Sequence, residues 1–450
     1  MDERKREVIR ELGNVYEEYD KKFPAWLKKS RSLAREIYLD YEERGFPACR
    51  FGVDFDLLAY RPDIGKEHPP RRSLDELSED MKRRAESAGQ SISEHDRTGT
   101  RLQEDATTTY LSVTSKAKQT LFSRYPDGLI VEDIEDAVLG YSWIEKLWSH
   151  IYPINLDKYT AYNAGYSRGG VFVWVKQGVK VELPLQICFF VETQMYAQLP
   201  RILVIAEPHS RLHLISGCLT QSGCNAGLHG CITEIYVGEG AEVTYSMIHN
   251  FGPEFHVRPK IGAIVEKDAT YIENLIIIGP CKSDQAYPTA VLRGEGAKAV
   301  IRCIILGVEQ SSIDVGSAII FSNEGTRAEL ISRAVATDES KIKMRGNLKS
   351  YAKRTKGHLE CRGLLLSPLA QAWAYPQLRS ISPEADLTHE AAIGKIADEE
   401  LYYLMSRGLT ENEATSMIAR GFLDVETPGF PPLLRHEIDK VISTSLKRVL

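Results

Sequence analysis

The sequence lacks any apolar run near the ~18 residues that a membrane helix requires. Its apolar runs, such as Leu275 to Ile278, are strand-length. The charged start Met1-Asp2-Glu3-Arg4-Lys5-Arg6 has no apolar core of the kind that marks a secretory signal, so the cytoplasm is the expected compartment. There is no basic excess. Lys and Arg number 56 against 62 Asp and Glu, a net charge of −6, which gives no overall electrostatic reason to bind nucleic acid. No two of the eight cysteines are spaced C-x-x-C, which excludes zinc-ribbon and thioredoxin motifs. In a reducing cytoplasm most of them are expected to be small core residues. Also missing is the G-x-x-x-x-G-K-[ST] phosphate loop, so the chain is not expected to hydrolyse nucleotides itself. What remains is an ordinary globular composition, 43% hydrophobic and 26% charged over 450 residues, with room for two to four domains.

Three regions follow from the periodicity. Residues 1–155 read as mainly helical. Val8, Leu12, Val15 and Tyr16 recur at helical spacing, as do Trp26, Leu33, Ile37 and Tyr38. Ser73 to Glu76 is a capping-box pattern, and the polar stretch near 89–105 reads as flexible. Two short helices are expected over 132–150, with Ile134, Val138, Trp143, Leu147 and Trp148 inward. Residues 156–388 instead carry short alternating runs separated by Gly and acidic turns. The small turn residues Ala241, Ala269, Ala297, Thr326 and Ser340 recur at steps of 28, 28, 29 and 14. A step that halves predicts a coiled solenoid with a unit of ~14 residues, rather than a β-sandwich. Residues 389–450 return to helical spacing. Gly408 ends one helix, Thr410 to Glu413 is a capping box, and Ala414, Met417 and Ile418 form an apolar stripe closed by Gly421 and Phe422. A last amphipathic helix is expected from Leu434 to Leu446.

Three stretches resemble the SufB/SufD family, the scaffold proteins of SUF-type iron–sulfur cluster assembly. They are Gly178 to Gln186, then Leu387-Thr388-His389-Glu390-Ala391 with Gly394, Lys395 and Ile396, and Arg407-Gly408-Leu409 continuing through Ala414, Met417, Ile418, Gly421 and Phe422. With the repeats they cover about 165–450. The resemblance implies a right-handed parallel β-helix core flanked by N-terminal and C-terminal helical domains, a mixed α and β fold. It implies a dimer of such scaffolds, homodimer or SufD-type heterodimer, carrying a SufC-like ABC-type ATPase on the C-terminal helices. Here that docking maps to Leu409, Met417, Ile418 and Phe422.

The same resemblance marks Cys361, Glu390 and His389 as ligands of a transient iron–sulfur cluster, and Cys218 as the acceptor of sulfur from a donor protein. Mixed thiolate, imidazole and carboxylate ligation suits a cluster that must be released to apo-protein acceptors. Cys361 and Glu390 are separated by about two of the ~14-residue units, so stacked coils are expected to bring them to one edge. The family usually has a second acidic residue where this chain has Thr388. His249 and Phe251 stand where SufB usually has Gln and Trp. His358 is near enough in sequence to reach the site, and Cys218, Cys224 and Cys231 lie close together along the chain. The Cys/Glu pair favours a SufB-like scaffold. The alternatives are a cluster-less SufD-like adaptor and a β-helix enzyme acting on polysaccharide, the latter usually secreted and without a carboxylate pair here.

Overall fold

A computed structural model describes residues 3–45, 51–62, 78–80, 82–83, 108–113, 126–182, 184–191, 193–220 and 222–423. The capping pattern at Ser73, the stretch near 89–105, Cys49 and the helix expected after Leu434 lie outside the described residues.

The central region is a parallel β-solenoid. Its strands form two sheets of 14 and nine strands, and the chain alternates between them as it coils. In the nine-stranded sheet Glu242 pairs with Thr270 and Thr270 with Lys298, the same step as between Ala241, Ala269 and Ala297 at the turns. Farther along, Arg327 pairs with Lys356, a step of 29, and Lys356 with Asp386, a step of 30. One coil thus holds two of the ~14-residue units expected from the turns. Among the described residues the strands pair in parallel, except where Leu129–Asp133 runs antiparallel to Gly170–Val175.

The turns explain the repeat. Gly240, Asp268, Gly296 and Gly325 all have φ between 55° and 69°, and each precedes one of the small residues. That left-handed residue turns the chain sharply, and glycine or aspartate tolerates it. Ala241, Ala269, Ala297 and Thr326 are then buried at the corner. The turns also tie one coil to the next: Gly240 N–H donates to Lys267 O, Asp268 to Glu295 and Gly296 to Glu324, at 2.8–3.0 Å.

From Gly170 to Leu365 the strands turn side chains inward that pack as one apolar core along the solenoid axis. It includes Cys218, Cys224, Cys231, Cys281, Cys303 and Cys361. All seven described cysteines are buried.

The N-terminal helices α1 (Glu3–Asp20), α2 (Ala25–Arg44), α3 (Ile134–Gly140) and α4 (Lys158–Tyr166) lie against the first coils. Tyr16, Tyr38, Tyr162 and Tyr166 interlock there with ring centroids 4.9–6.2 Å apart. The buried stripe of α2 is Leu27, Arg31, Ala34 and Tyr38. Leu33, expected inward, is exposed, as is Val15 on α1. Arg31 holds the inward position because its charge is neutralised there, which apolar periodicity alone does not reveal.

At the other end the strand Asp386–Gly394 continues the solenoid past residue 389, so the helical region begins later than expected, with α5 (Asp398–Met405) and α6 (Glu411–Leu423). Gly408 takes φ 97° after α5, and Thr410 with Glu413 forms the expected reciprocal cap. Gly421 lies within α6 rather than ending it.

Candidate metal centre and interior thiols

Cys361 lies on the strand Lys356–Leu365, one coil from the end of the solenoid. Gly357, Leu359, Cys361 and Gly363 point inward, while His358, Glu360 and Arg362 point outward. The last strand of this sheet, Asp386–Gly394, pairs with it in a register of Leu359 to His389, Glu360 to Glu390 and Cys361 to Ala391. Register partners in parallel strands share a face. Cys361 and His389 therefore lie on the inward side, and Glu390 on the outward side. The expectation that Cys361 and Glu390 meet at one edge fails in this chain. The register partner of Glu390 is Glu360, the neighbour of Cys361, and that offset of one position puts the thiol and the carboxylate on opposite faces.

Cys361 is only 1% exposed, and burial pushes its thiol up to about 11. Ser332 is register-paired with both Cys361 and Cys303, and its hydroxyl pulls each thiol down by less than burial raises it. The protonated thiol is neither a good nucleophile nor a ligand until its surroundings change. Above Cys361 only the Ala391 side chain is stacked on the last rung, and His389 beside it is exposed.

On the outward face, His358, Glu360 and Glu390 place ligand atoms within 4.8 Å of one another, the one such trio among the described residues. Two cations already neutralise the carboxylates. Arg333 lies 2.6 Å from Glu360 Oε1, and Arg362 Nη2 donates to Glu390 Oε1 at 2.8 Å. His358 Nδ1 is 2.9 Å from Thr388 Oγ1. Glu360 escaped the sequence reading. It alternates with His358 and lies one coil below Glu390, a signal visible only once the coil length is known.

Cys218 sits inside the solenoid on Arg211–Thr220, fully buried, with its thiol raised well above the usual range by burial and then by Cys231. Its register partner on the next coil is His249. His249 Nδ1 lies 2.8 Å from Asp284 Oδ2, and His249 Nε2 is buried without a hydrogen-bond partner. His229 is held by Gln198 at 2.8 Å, and burial drives its pKa down to about 3. His213 points to the other face of its strand. Cys218, Cys224 and Cys231 do not gather into a ligand trio.

The C-terminal residues separate by role. Ala414, Ala419 and Leu423 form the buried stripe of α6. Met417, expected inward, is exposed; Leu409 and Ile418 are half-buried. Ile418 lines an open groove of about 420 Å³ with Glu399, Glu400, Tyr403 and Leu404. Phe422 turns toward the solenoid, where the Arg333 guanidinium lies 5.6 Å from its ring centre.

Residues 189–422 match the SUF system FeS cluster assembly, SufBD core domain. An iron–sulfur cluster assembly SufBD family protein of Methanothermobacter thermautotrophicus is 38% identical, over 88% of this chain and 95% of its own length. One from Pyrococcus horikoshii is 35% identical over 97% and 96%. The iron–sulfur cluster assembly protein SufB of Bacillus subtilis is 26% identical over 98% and 93%. No helix among the described residues is long and apolar enough to cross a membrane. With a parallel β-solenoid matched across its core and relatives aligned along nearly its full length, the chain belongs to the SufBD family of iron–sulfur cluster assembly proteins.

Proposed function

We propose that this chain is a SufB-type scaffold on which an iron–sulfur cluster is built and from which it is transferred. In this reading it works in the cytoplasm with a second SufB- or SufD-like chain and a SufC-like ATPase, and it has no catalytic residues of its own. The observation that carries the reading is the last rung of the solenoid. Gln371–Ser380 and Asp386–Gly394 each pair on one edge only among the described residues, and Tyr375, Leu378, Ile381 and Ile393 are exposed there. Unpaired strand edges beside apolar side chains suit a second scaffold chain. Cys361 and His389, on the inward side of that end, are the proposed cluster ligands, with Glu390 recruited from the outward face when partner binding or ATP hydrolysis shifts the last strand. Cys218 is the proposed sulfur acceptor. Leu409, Met417, Ile418 and Phe422, with the groove beside Ile418, are the proposed ATPase contact.

The opposite facing of Cys361 and Glu390, and the Arg362 partner of Glu390, favour a second reading in which the chain is a cluster-less adaptor. Anaerobic reconstitution with iron and sulfide separates the two, read by visible absorption and Mössbauer spectroscopy with and without the ATPase. A cluster in wild type that is lost in Cys361→Ala, with the fold intact by circular dichroism, supports the scaffold. Absence of a cluster under every condition, with the partner chains present, supports the adaptor.

A further inference from the structure

A second polar site lies far from the last rung, where the N-terminal helices meet the first coils. Arg31 of α2 and Arg201 of the strand Arg201–Ala206 are both 3% exposed, and both line one small cavity of about 10 Å³ with Glu135 and Ser167. Its remaining walls are largely apolar, including Leu27 and Ile134.

Each guanidinium is held along one side. Arg31 Nε donates to Asp20 Oδ1 at 2.6 Å, and its Nη1 donates to Ser167 O and Oγ at 2.9 and 3.1 Å. Arg201 Nη2 donates to Glu234 Oε2 at 3.0 Å and to Ser149 Oγ at 3.1 Å. The Trp148 ring lies 4.3 Å from Arg201. In each residue the other terminal nitrogen, Arg31 Nη2 and Arg201 Nη1, is buried with no hydrogen-bond partner. Two unsatisfied cationic donors in one cavity are costly unless something accepts from both.

The surrounding carboxylates are already engaged. Asp20 is shared between Arg31 and Arg35. Glu234 accepts from the backbone N–H of Ser149, Ile151 and Tyr152 as well as from Arg201. Glu135 accepts from Tyr19, Lys22 and Gly169 N. Burial alone would raise its pKa, but Lys22 and these hydrogen bonds outweigh burial and hold it ionised. The Arg31 charge is felt at Arg201, where it adds to burial in lowering the guanidinium pKa.

We propose that this cavity is a binding site for one small monovalent anion of chloride's size, bridging Arg31 Nη2 and Arg201 Nη1. The space admits a single water-sized or slightly larger sphere and excludes phosphate or sulfate. A halide accepts from both donors and brings no protons needing acceptors of their own. Held by both guanidinium groups, it ties α2 to the first coils.

The test uses the full chain, purified throughout with bromide replacing chloride and crystallised in bromide. Anomalous diffraction at the bromine edge is expected to place one peak within hydrogen-bond reach of both free guanidinium nitrogens. A peak of water height there with no anomalous signal overturns the proposal and makes the cavity a hydration site. In solution, thermal unfolding is compared in sodium chloride and in sodium gluconate at matched ionic strength. The halide is expected to raise the midpoint by about 1–3 °C, and Arg31→Met to abolish that difference. Equal midpoints for wild type, with protein first dialysed into gluconate, overturn it as well. The bromide arm needs no variant, so it stands even if Arg31→Met fails to fold.

Discussion

Alkylation of Cys361 tests the reading that its thiol is held inert inside the solenoid. Burial moves it from an ordinary value of 9.0 to about 11. At pH 8 the thiolate fraction then falls from ~10% to ~0.1%, a ~100-fold slowing before access is considered. Only 1% of the residue is exposed, so reagent must enter through an opening of the last rung and slow the reaction further. The same change has a stability consequence. The protonated thiol is favoured in the fold, so its contribution is complete below pH 9 and is lost as pH rises through 11. The gap between 9.0 and about 11 corresponds to roughly 3 kcal/mol. Native and urea-unfolded chains are treated with iodoacetamide at pH 8, and the Cys361 peptide is quantified by mass spectrometry. Protection of at least ~100-fold is expected. A native rate within tenfold of the unfolded one would refute the reasoning, because it would require an ionised or exposed thiol. A parallel urea series from pH 8 to 11 is expected to show a shallower alkaline loss of stability in Cys361→Ala than in wild type.

Glu273 is buried inside the solenoid, and burial pushes its carboxyl up to about 8. Stability is withdrawn as pH rises from its ordinary value of 4.5 through 8, since the unfolded chain can ionise the group and the fold resists it. Glu273→Gln is expected to melt higher than wild type at pH 8.5, with the difference shrinking toward pH 4.5; a constant offset across that range would point to packing instead. Gly294 abuts the neighbouring coil closely enough that a Cβ would run into Lys267 N. Gly294→Ala is therefore expected to lose about 3 kcal/mol or more by urea unfolding. Met417→Glu changes an exposed side chain and should leave stability within ~0.5 kcal/mol, while co-purification with a SufC-like ATPase is lost; retained co-purification would remove Met417 from the proposed contact. Phe422→Ala is expected to lower the melting midpoint as well, because its ring packs toward Arg333.

The solenoid was legible because its turns obey local chemistry. A left-handed residue followed directly by a small one recurs at Gly240, Asp268, Gly296 and Gly325, where the coil turns sharply and backbone sterics favour that pair. The helix cap at Thr410 and Glu413 was legible for the same reason, since its partners are near neighbours in sequence. Helix faces were less so. Arg31 occupies an inward position of α2 because Asp20 and Ser167, distant in sequence, receive it. The candidate site depended on a long-range quantity, the coil length, which drifts. Along the nine-stranded sheet Arg211 pairs with Glu242, Glu242 with Thr270 and Lys356 with Asp386, and no two of these steps are equal. Side chains alternate faces at each position, so an error of one in the period exchanges inside for outside. The spacing between Cys361 and Glu390 identifies neighbouring coils correctly and still assigns the wrong face. A ligand pair in a β-solenoid is therefore legible from sequence to the level of the rung, and its face requires the register of that rung. For this chain the consequence is chemical: the residue stacked on Cys361 is Ala391, His389 shares that inward face two positions away, and Glu390 faces outward, so the proposed use of Glu390 as a ligand calls for the last strand to move.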